Sequence, residues 1–369
     1  MEIIHVVLGK ANPNRMNGVN KVVYQLACNQ AAAGKHVSIW GITKEPVHNY
    51  PERNFETRLF KAFSNKFKLD AAFLSALKEK KDSVVFHLHG GFNPVLYSVS
   101  TALYKHDIPF VFTPHGAYNE IAMQHNRITK WIYTILFERK LIHRARIIHC
   151  LGKTELDGLN KICSNAKARL LPYGYESEHV STTIRDYHSF NICFCGRTDI
   201  YTKGLDVLLN AYCDIKKKIP AASLWIIGSS DEQEKLKQMI NSADADDIIL
   251  FGSRYGNDKE QLLKQAHVFA HPSRNEGLPS AVLEAASFGI PCAVTEATNM
   301  GESIRRYNCG TVIAGPSPAA LANAITGIYN RIKKEGWKKI SDAAREMIRE
   351  EYNWNKILKQ FDDLYKEAC

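Results

Sequence analysis

Two short segments of this 369-residue chain combine residue types that hold anions and polyols. The first is Phe194-Cys195-Gly196-Arg197, followed by Lys203-Gly204-Leu205. Its apolar run predicts a strand that ends at Gly196, and helical periodicity resumes at Leu205. Arg197 and Lys203 then share one sheet edge with a helix N-terminus. A guanidinium fork, an ammonium and open N–H groups suit a diphosphate. The same spacing also suits two solvated surface cations. Neither G-x-x-x-x-G-K-[ST] nor G-x-G-x-x-G occurs, so a P-loop and the usual dinucleotide fingerprint are both excluded.

The second segment is Ser273-Arg-Asn-Glu276-Gly277-Leu278-Pro279-Ser280-Ala-Val-Leu-Glu284. It follows the apolar run Val268-Phe-Ala, and Pro279 suits a first helical turn. Glu276 is expected in the loop and Glu284 inside the helix. A loop carboxylate ahead of a phosphate-binding helix can grip sugar hydroxyls, and the second can accept both hydroxyls of a ribose. The plainer alternative is a helix start carrying an acidic dipole partner.

Other candidates carry less. Asp244-x-Asp246 precedes a strand expected at Asp247–Phe251, at the opposite sheet edge, and reads as a solvated turn. His87-Leu-His89-Gly90-Gly91 puts two imidazoles on one face of a strand end, with no third metal ligand in evidence. A structural or acceptor-side role is expected there. His271 is expected to pack against its strand edge. Nine cysteines are scattered with no C-x2-C pair, which suits free thiols in a reducing cytoplasm.

These residues need elements to position them. Apolar runs predict strands at Ile3–Leu8, His36–Ile42, Val84–His89, Pro109–Thr113, Arg146–Leu151 and Ala168–Pro172. A second series follows at Asn191–Cys195, Ser223–Ile227, Asp247–Phe251, Val268–Ala270, Pro291–Thr295 and Thr311–Ile313. Helical periodicity fills the gaps, including Arg127–His143, Ser280–Phe288 and a tail from Lys333 onward. Strand–helix alternation means parallel sheets covered on both faces. Two series of this length predict two doubly wound domains, joined by the polar tract Gly174–Ser189. Ligands of such sheets bind beyond the carboxyl ends of the strands, so the expected site is a cleft between two facing edges.

Apolar residues make up 45% and charged residues 23%, ordinary for a globular chain and unlike a disordered or coiled-coil one. No run of 18 uncharged apolar residues predicts a membrane span. The opening Met1–Gly9 reads as a strand rather than a signal peptide. Charge is uneven. Residues 1–173 hold 24 Lys+Arg against 12 Asp+Glu, net +12; the remainder holds 24 against 26, net −2. The first half therefore calls for an anionic partner. Lys61-Ala-Phe63-Ser-Asn-Lys66-Phe67-Lys68 mixes cations with aromatic anchors, a composition suited to an anionic membrane surface. No nucleic-acid-binding module is visible.

Gly-Arg-x5-Lys-Gly, then Glu-Gly-x6-Glu-Ala and Ser287-Phe-Gly289-Ile-Pro291, together resemble the retaining GT-B glycosyltransferases of the family-4 type, the glycosyl transferases group 1. The resemblance covers nearly the whole chain. Asn17-Gly18-Val19-Asn20, Thr113-Pro114-His115-Gly116 and Leu171-Pro-Tyr173-Gly174 look like further segments of that family. Asn17 stands where the family often has a second glycine, and Tyr173 where it usually has Asn.

The resemblance implies an α/β GT-B fold of two Rossmann-like domains facing a central cleft. Residues 1–173 would be the acceptor-side domain, with a helix at 352–369 packing back on it, and 174–351 the donor domain. It implies that Arg197 and Lys203 bind the donor diphosphate, and that Glu276 holds hydroxyls of the transferred sugar. Glu284 would bind the ribose, and Gly277, Leu278, Pro279 and Ser280 would support the donor through backbone N–H groups. Gly18 would let its loop approach the phosphates, and His115 would contact the donor sugar. No metal and no cofactor beyond the nucleotide-sugar substrate are expected, since two cations stand in for a divalent ion. The expected protein is a cytoplasmic enzyme, peripheral on the inner face of the membrane. It would transfer sugar with retention to a lipid-linked or polysaccharide acceptor. The rivals are a GT-B sugar-nucleotide epimerase and a non-catalytic glycan- or nucleic-acid-binding protein.

Overall fold

Near-continuous apolar runs bounded by glycine and polar turns give strands that are buried on both faces, as parallel sheets require. The computed structural model describes residues 1–12, 18–80, 83–175, 189–243 and 247–369. It divides into two units, Met1–Gly174 with Trp354–Cys369, and Tyr175–Asn353.

The first unit carries strands β1 (Glu2–Leu8), β2 (His36–Thr43), β3 (Glu56–Lys61), β4 (Val84–His89), β5 (Phe110–Thr113), β6 (Ile147–Cys150) and β7 (Ala168–Leu170). Its helices are α1 (Gly18–Ala32), α2 (Ala71–Lys78), α3 (Pro94–Lys105), α4 (Glu120–Gln124), α5 (Arg127–Tyr133), α6 (Arg139–Arg144) and α7 (Lys153–Ile162). A π-helical stretch, Thr134–Glu138, joins α5 to α6. The sheet order is β3-β2-β1-β4-β5-β6-β7, all parallel. Trp40 anchors the core on one face, its ring 5.2 Å from Phe60 and Phe73 and 5.3 Å from Phe86. Buried aromatic pairs of this kind add about 0.5–1.5 kcal/mol each beyond their area.

The second unit carries β8 (Phe190–Cys195), β9 (Ala222–Ile227), β10 (Ile248–Gly252), β11 (Val268–His271), β12 (Cys292–Thr295) and β13 (Gly310–Ile313). Its helices are α8 (Ile200–Lys203), α9 (Leu205–Lys218), α10 (Gln233–Ser242), α11 (Gly256–Lys264), α12 (Ser280–Ser287), α13 (Gly301–Tyr307), α14 (Pro318–Glu335) and α15 (Trp337–Glu351). The last helix, α16 (Trp354–Ala368), belongs to the first unit. The second sheet runs β10-β9-β8-β11-β12-β13, again all parallel. Each order reverses once, between β1 and β4 and between β8 and β11. Such switch points are where open α/β sheets take ligands.

Two differences from the sequence expectation have physical causes. Strand β3 was not expected; it is an edge strand, polar and largely accessible, so it lacks the apolar signature. The single helix expected over Arg127–His143 is broken by the π-helical stretch and preceded by α4. Asn17, Asp244, Asp246 and most of the expected linker tract lie outside the described residues. No helix among the described residues is long and apolar enough to cross a membrane.

Candidate active site

The switch point of the second sheet gathers three of the expected residues and one more. Strand β8 leads into Arg197, and β11 into the Glu276 loop. Between them Gly204 has φ +70°, and a Cβ there would lie 2.1 Å from the Pro272 carbonyl oxygen, so only glycine lets α8 turn into α9 beside that loop. Lys203 Nζ consequently sits 2.6 Å from Glu276 Oε1. His271 Nε2 reaches the same oxygen at 2.7 Å. A carboxylate only accepts, so Nε2 carries the proton, and the buried Nδ1 has no hydrogen-bond partner among the described residues. Burial alone would push the Glu276 carboxyl up; Lys203 and His271 overcome it and hold the group down at about 2. His271 also stacks on Phe194 (7° between planes) and Phe269. It therefore does more than the packing expected of it.

The loop is held by further bonds. Asn299 Nδ2 donates to the Glu276 and Gly277 carbonyls at 3.2 and 2.7 Å. Ser273 Oγ and the Arg274 amide both donate to the Thr202 carbonyl at 2.8 Å. Arg274 forks onto Asp206 at 2.7 and 2.8 Å. The side chain of Arg197 is exposed and leans on Asp199, 3.3 Å away. Thus the two cations expected to lie open to a diphosphate are each already beside a carboxylate. Gly277, Leu278 and Pro279 lead into α12, whose first residue is Ser280 and whose first turn leaves N–H groups open.

Glu284 lies deeper in α12, and Lys259 of α11 meets it at 2.6 Å. Burial opposes the Lys259 charge, yet Glu284 raises its pKa. Lys259, Asn299 and Arg274 escaped sequence reasoning. Each acts across a tertiary contact; Lys259 and Asn299 lie outside the quoted segments, and Arg274 lies inside one with no role assigned to it.

At the first sheet, Gly18 opens α1, and a Cβ there would meet no atom of the described residues within 4 Å. Asn20 Oδ1 accepts from the Ala11 amide at 2.7 Å, tying down the turn after β1. His115 follows β5 with φ +56°, a left-handed conformation rare for a residue with a side chain. Glu155 fixes this turn by accepting from the Gly116 and Leu151 amides. Burial pushes Glu155 up to about 7, against those two bonds. Tyr173 stacks on His115 with 15° between planes.

Behind His115 lies a group of imidazoles. The pair expected at His87 and His89 has a third neighbour after all: β1 pairs with β4 so that His5 lies beside His87, and His5, His87 and His89 bring ring nitrogens within 4.8 Å of one another. This corrects the expectation that no third ligand stands beside His87 and His89. The clue available in the sequence was one histidine or more in each of three apolar strands, β1, β4 and β6. Burial lowers all of these rings: His5 and His149 to about 4, His115 to about 3, and His87 and His89 well below the usual value. They are neutral at physiological pH.

Two family models match this chain in succession: "Glycosyltransferase Family 4" over residues 16–179 and "Glycosyl transferases group 1" over residues 184–347. Together they span almost the whole molecule, and the chain belongs to the group 1, family-4-type glycosyltransferases. An uncharacterized glycosyltransferase of Haemophilus influenzae is 28% identical over 160 residues, 43% of this chain and 44% of that protein. A GDP-mannose-dependent alpha-(1-6)-phosphatidylinositol monomannoside mannosyltransferase of Mycobacterium tuberculosis is 24% identical over 172 residues, 44% of each chain. The chain thus spans less than half the length of either relative. The structure of Anabaena HepE in complex with UDP and glucose superposes with a TM-score of 0.75 at 15% identity, covering 99% of both chains. The fold is the two-domain α/β GT-B fold.

Proposed function

We propose that this protein transfers a sugar, with retention, from a nucleotide-diphosphate sugar to a lipid-linked or polysaccharide acceptor, and that it needs no metal. The observation that carries the reading is the Lys203–Glu276–His271 cluster at the β8/β11 switch point. In this reading the donor diphosphate draws Lys203 and Arg197 onto its oxygens. The charge that develops on the leaving group then meets fixed cations and the open N–H groups of α12. Glu276, freed from part of its pairing, accepts from hydroxyls of the transferred sugar. Glu284, held by Lys259, accepts from the ribose. His115, taken as a residue of the first unit by itself, is proposed to accept from a sugar hydroxyl. The leaving diphosphate itself takes the acceptor proton on the same face. The UDP bound by the Anabaena protein supports a nucleotide donor.

We also place the acceptor at an anionic membrane surface. The support is an exposed apolar face on α5 and the π-helical stretch: Ile128 is 76% accessible, Trp131 63% and Leu136 47%. Arg127, Arg139 and Lys140 are exposed along the same stretch. Phe67 packs against Phe137 at 5.0 Å, which brings the Lys66–Lys68 segment to its flank. Apolar side chains ringed by cations match the interface of an anionic bilayer.

A thermal-shift screen with UDP, GDP, ADP and their sugars identifies the donor. Turnover with membrane extracts and that donor then tests transfer. Free sugar released from donor alone, with no glycan product, would point to an epimerase and overturn the reading.

A further inference from the structure

Five histidines of the first unit, His5, His87, His89, His115 and His149, belong to one continuous hydrogen-bonded chain, and a single backbone carbonyl sets its direction. Each ring is neutral, so each has one N–H and one lone pair. The Leu171 carbonyl can only accept, so His149 donates to it from Nε2 at 2.6 Å. His149 Nδ1 is then a lone pair, and the Thr113 hydroxyl donates to it at 2.7 Å. Thr113 has spent its one proton, so His87 Nε2 donates to Thr113 at 2.6 Å. His87 Nδ1 must accept, and the Tyr365 hydroxyl donates to it at 2.9 Å. Tyr365 in turn accepts from Gln30 Nε2 at 3.3 Å.

Gln30 now has its carbonyl turned toward His5, so His5 donates from Nε2 to Oε1 at 2.7 Å. His5 Nδ1 accepts from His89 Nε2 at 3.0 Å, and His89 Nδ1 accepts from His115 Nε2 at 3.0 Å. Reversing any link would set the lone pair of His149 Nε2 against the Leu171 carbonyl. Tyr173, whose hydroxyl is 3.4 Å from His115 Nε2, is too distant to compete with His89. Every member except His115 is buried.

We propose that this chain locks the tautomer of His115, with Gln30 and Tyr365 as its positioning residues, so that His115 keeps its proton on Nε2 and offers the Nδ1 lone pair to a hydroxyl group. That this hydroxyl belongs to the donor sugar rests on the function proposed above; the tautomer does not. Nδ1 has no partner among the described residues, and the left-handed backbone of His115 holds the ring on the end of the chain. The same bonds use the lone pairs of His5, His87 and His89 that a metal ion would need.

The test is long-range 1H–15N spectroscopy of the full chain carrying 15N-histidine, near neutral pH and without substrate, with His115 assigned from a His115→Gln variant. The wild type is expected to show His115 as a pure Nε2–H ring. Gln30→Met removes the polar link, and Tyr365→Phe frees the amide to flip; both are expected to move His115 toward a mixture of tautomers, while exposed His125 stays unchanged. Gln30→Glu keeps an acceptor toward His5 and is expected to preserve the His115 pattern. A wild-type His115 that is Nδ1–H or cationic overturns the proposal, whatever becomes of the variants. So do folded Gln30→Met and Tyr365→Phe proteins with unchanged signals, or stoichiometric Zn²⁺ uptake by wild type that perturbs His5, His87 and His89 together. Failure of sugar transfer would remove the proposed function and leave these signals as they are.

Discussion

The Lys203 ammonium, at the end of α8, and the Glu276 carboxylate, in the loop after β11, meet at 2.6 Å, and both side chains are largely buried. Each therefore compensates a charge that the protein has taken out of water. A ligand that claims one must provide for the other. A diphosphate and a polyol joined in one molecule, as in a nucleotide sugar, would do both.

Loss of Lys203 should cost stability as well as turnover. Removing one member of a buried pair strands its partner, at about 3–5 kcal/mol in the strongest cases. Lys203→Ala is expected to lower the thermal midpoint, and Lys203→Ala with Glu276→Gln to recover part of it. Arg197 is exposed, so Arg197→Ala should leave the midpoint unchanged. Both single variants should lose turnover by about tenfold or more, given about 1.5–3 kcal/mol for a charged hydrogen bond. Normal turnover in both would remove the phosphate site.

Metal dependence is a separate matter. If Arg197 and Lys203 stand in for a divalent ion, transfer should persist in excess EDTA. Loss of activity that Mn²⁺ or Mg²⁺ restores would end that reading and turn attention to Asp244 and Asp246.

The imidazole group predicts acid sensitivity. Its rings bind protons in the unfolded chain below about 6.5 and in the folded one only near or below about 4. Between those values the unfolded state holds more protons, so stability rises with pH, by about 1.4 kcal/mol per unit for each ring. Burial raises Glu138 and Glu155 to about 7, and these two carboxyls act in the opposite sense. Five rings outweigh two carboxyls. Urea midpoints should therefore fall steadily from pH 6.5 toward 4.5. A midpoint that rises on acidification would show the rings to be accessible or already charged.

Membrane binding should need both charge and apolar contact. Flotation with anionic vesicles is expected for wild type and not with neutral ones. It should weaken steeply with salt, since the screening length falls from about 10 Å at 0.1 M to about 3 Å at 1 M. Glu at Lys61, Lys66 and Lys68, or Trp131→Glu alone, should abolish it while leaving donor binding intact. Wild type that fails to float with either vesicle sinks the membrane proposal.

Strand positions were legible because buried parallel strands such as β4 and β8 are largely apolar runs. β3 was not, because an edge strand has little to bury. The Glu276 loop could be placed from Pro279 and the preceding strand, but its partners could not. Lys259 reads as one more surface cation until α11 packs beside α12. His5 likewise reads as an oddity in an apolar strand until register sets it beside His87. The exposed face of α5 was hidden inside a helix expected to be continuous, where Ile and Leu suggest core.

Helix α16 is synthesised after the entire second unit, yet the first unit depends on it. Tyr365 supplies a bond to Gln30, Asp362 pairs with Lys35, and Phe361 stacks on Tyr173. The intervening Tyr175–Asn353 takes roughly 10 to 40 seconds to translate at about 5–20 residues per second. During that interval the first sheet waits on the ribosome with its histidines short of a partner, whereas the second unit is one unbroken stretch and can finish as it emerges. Assembly then runs against the direction of translation. Residues that arrive later complete residues made earlier, and a chain cut short before α16 has no Tyr365 hydroxyl to donate to His87.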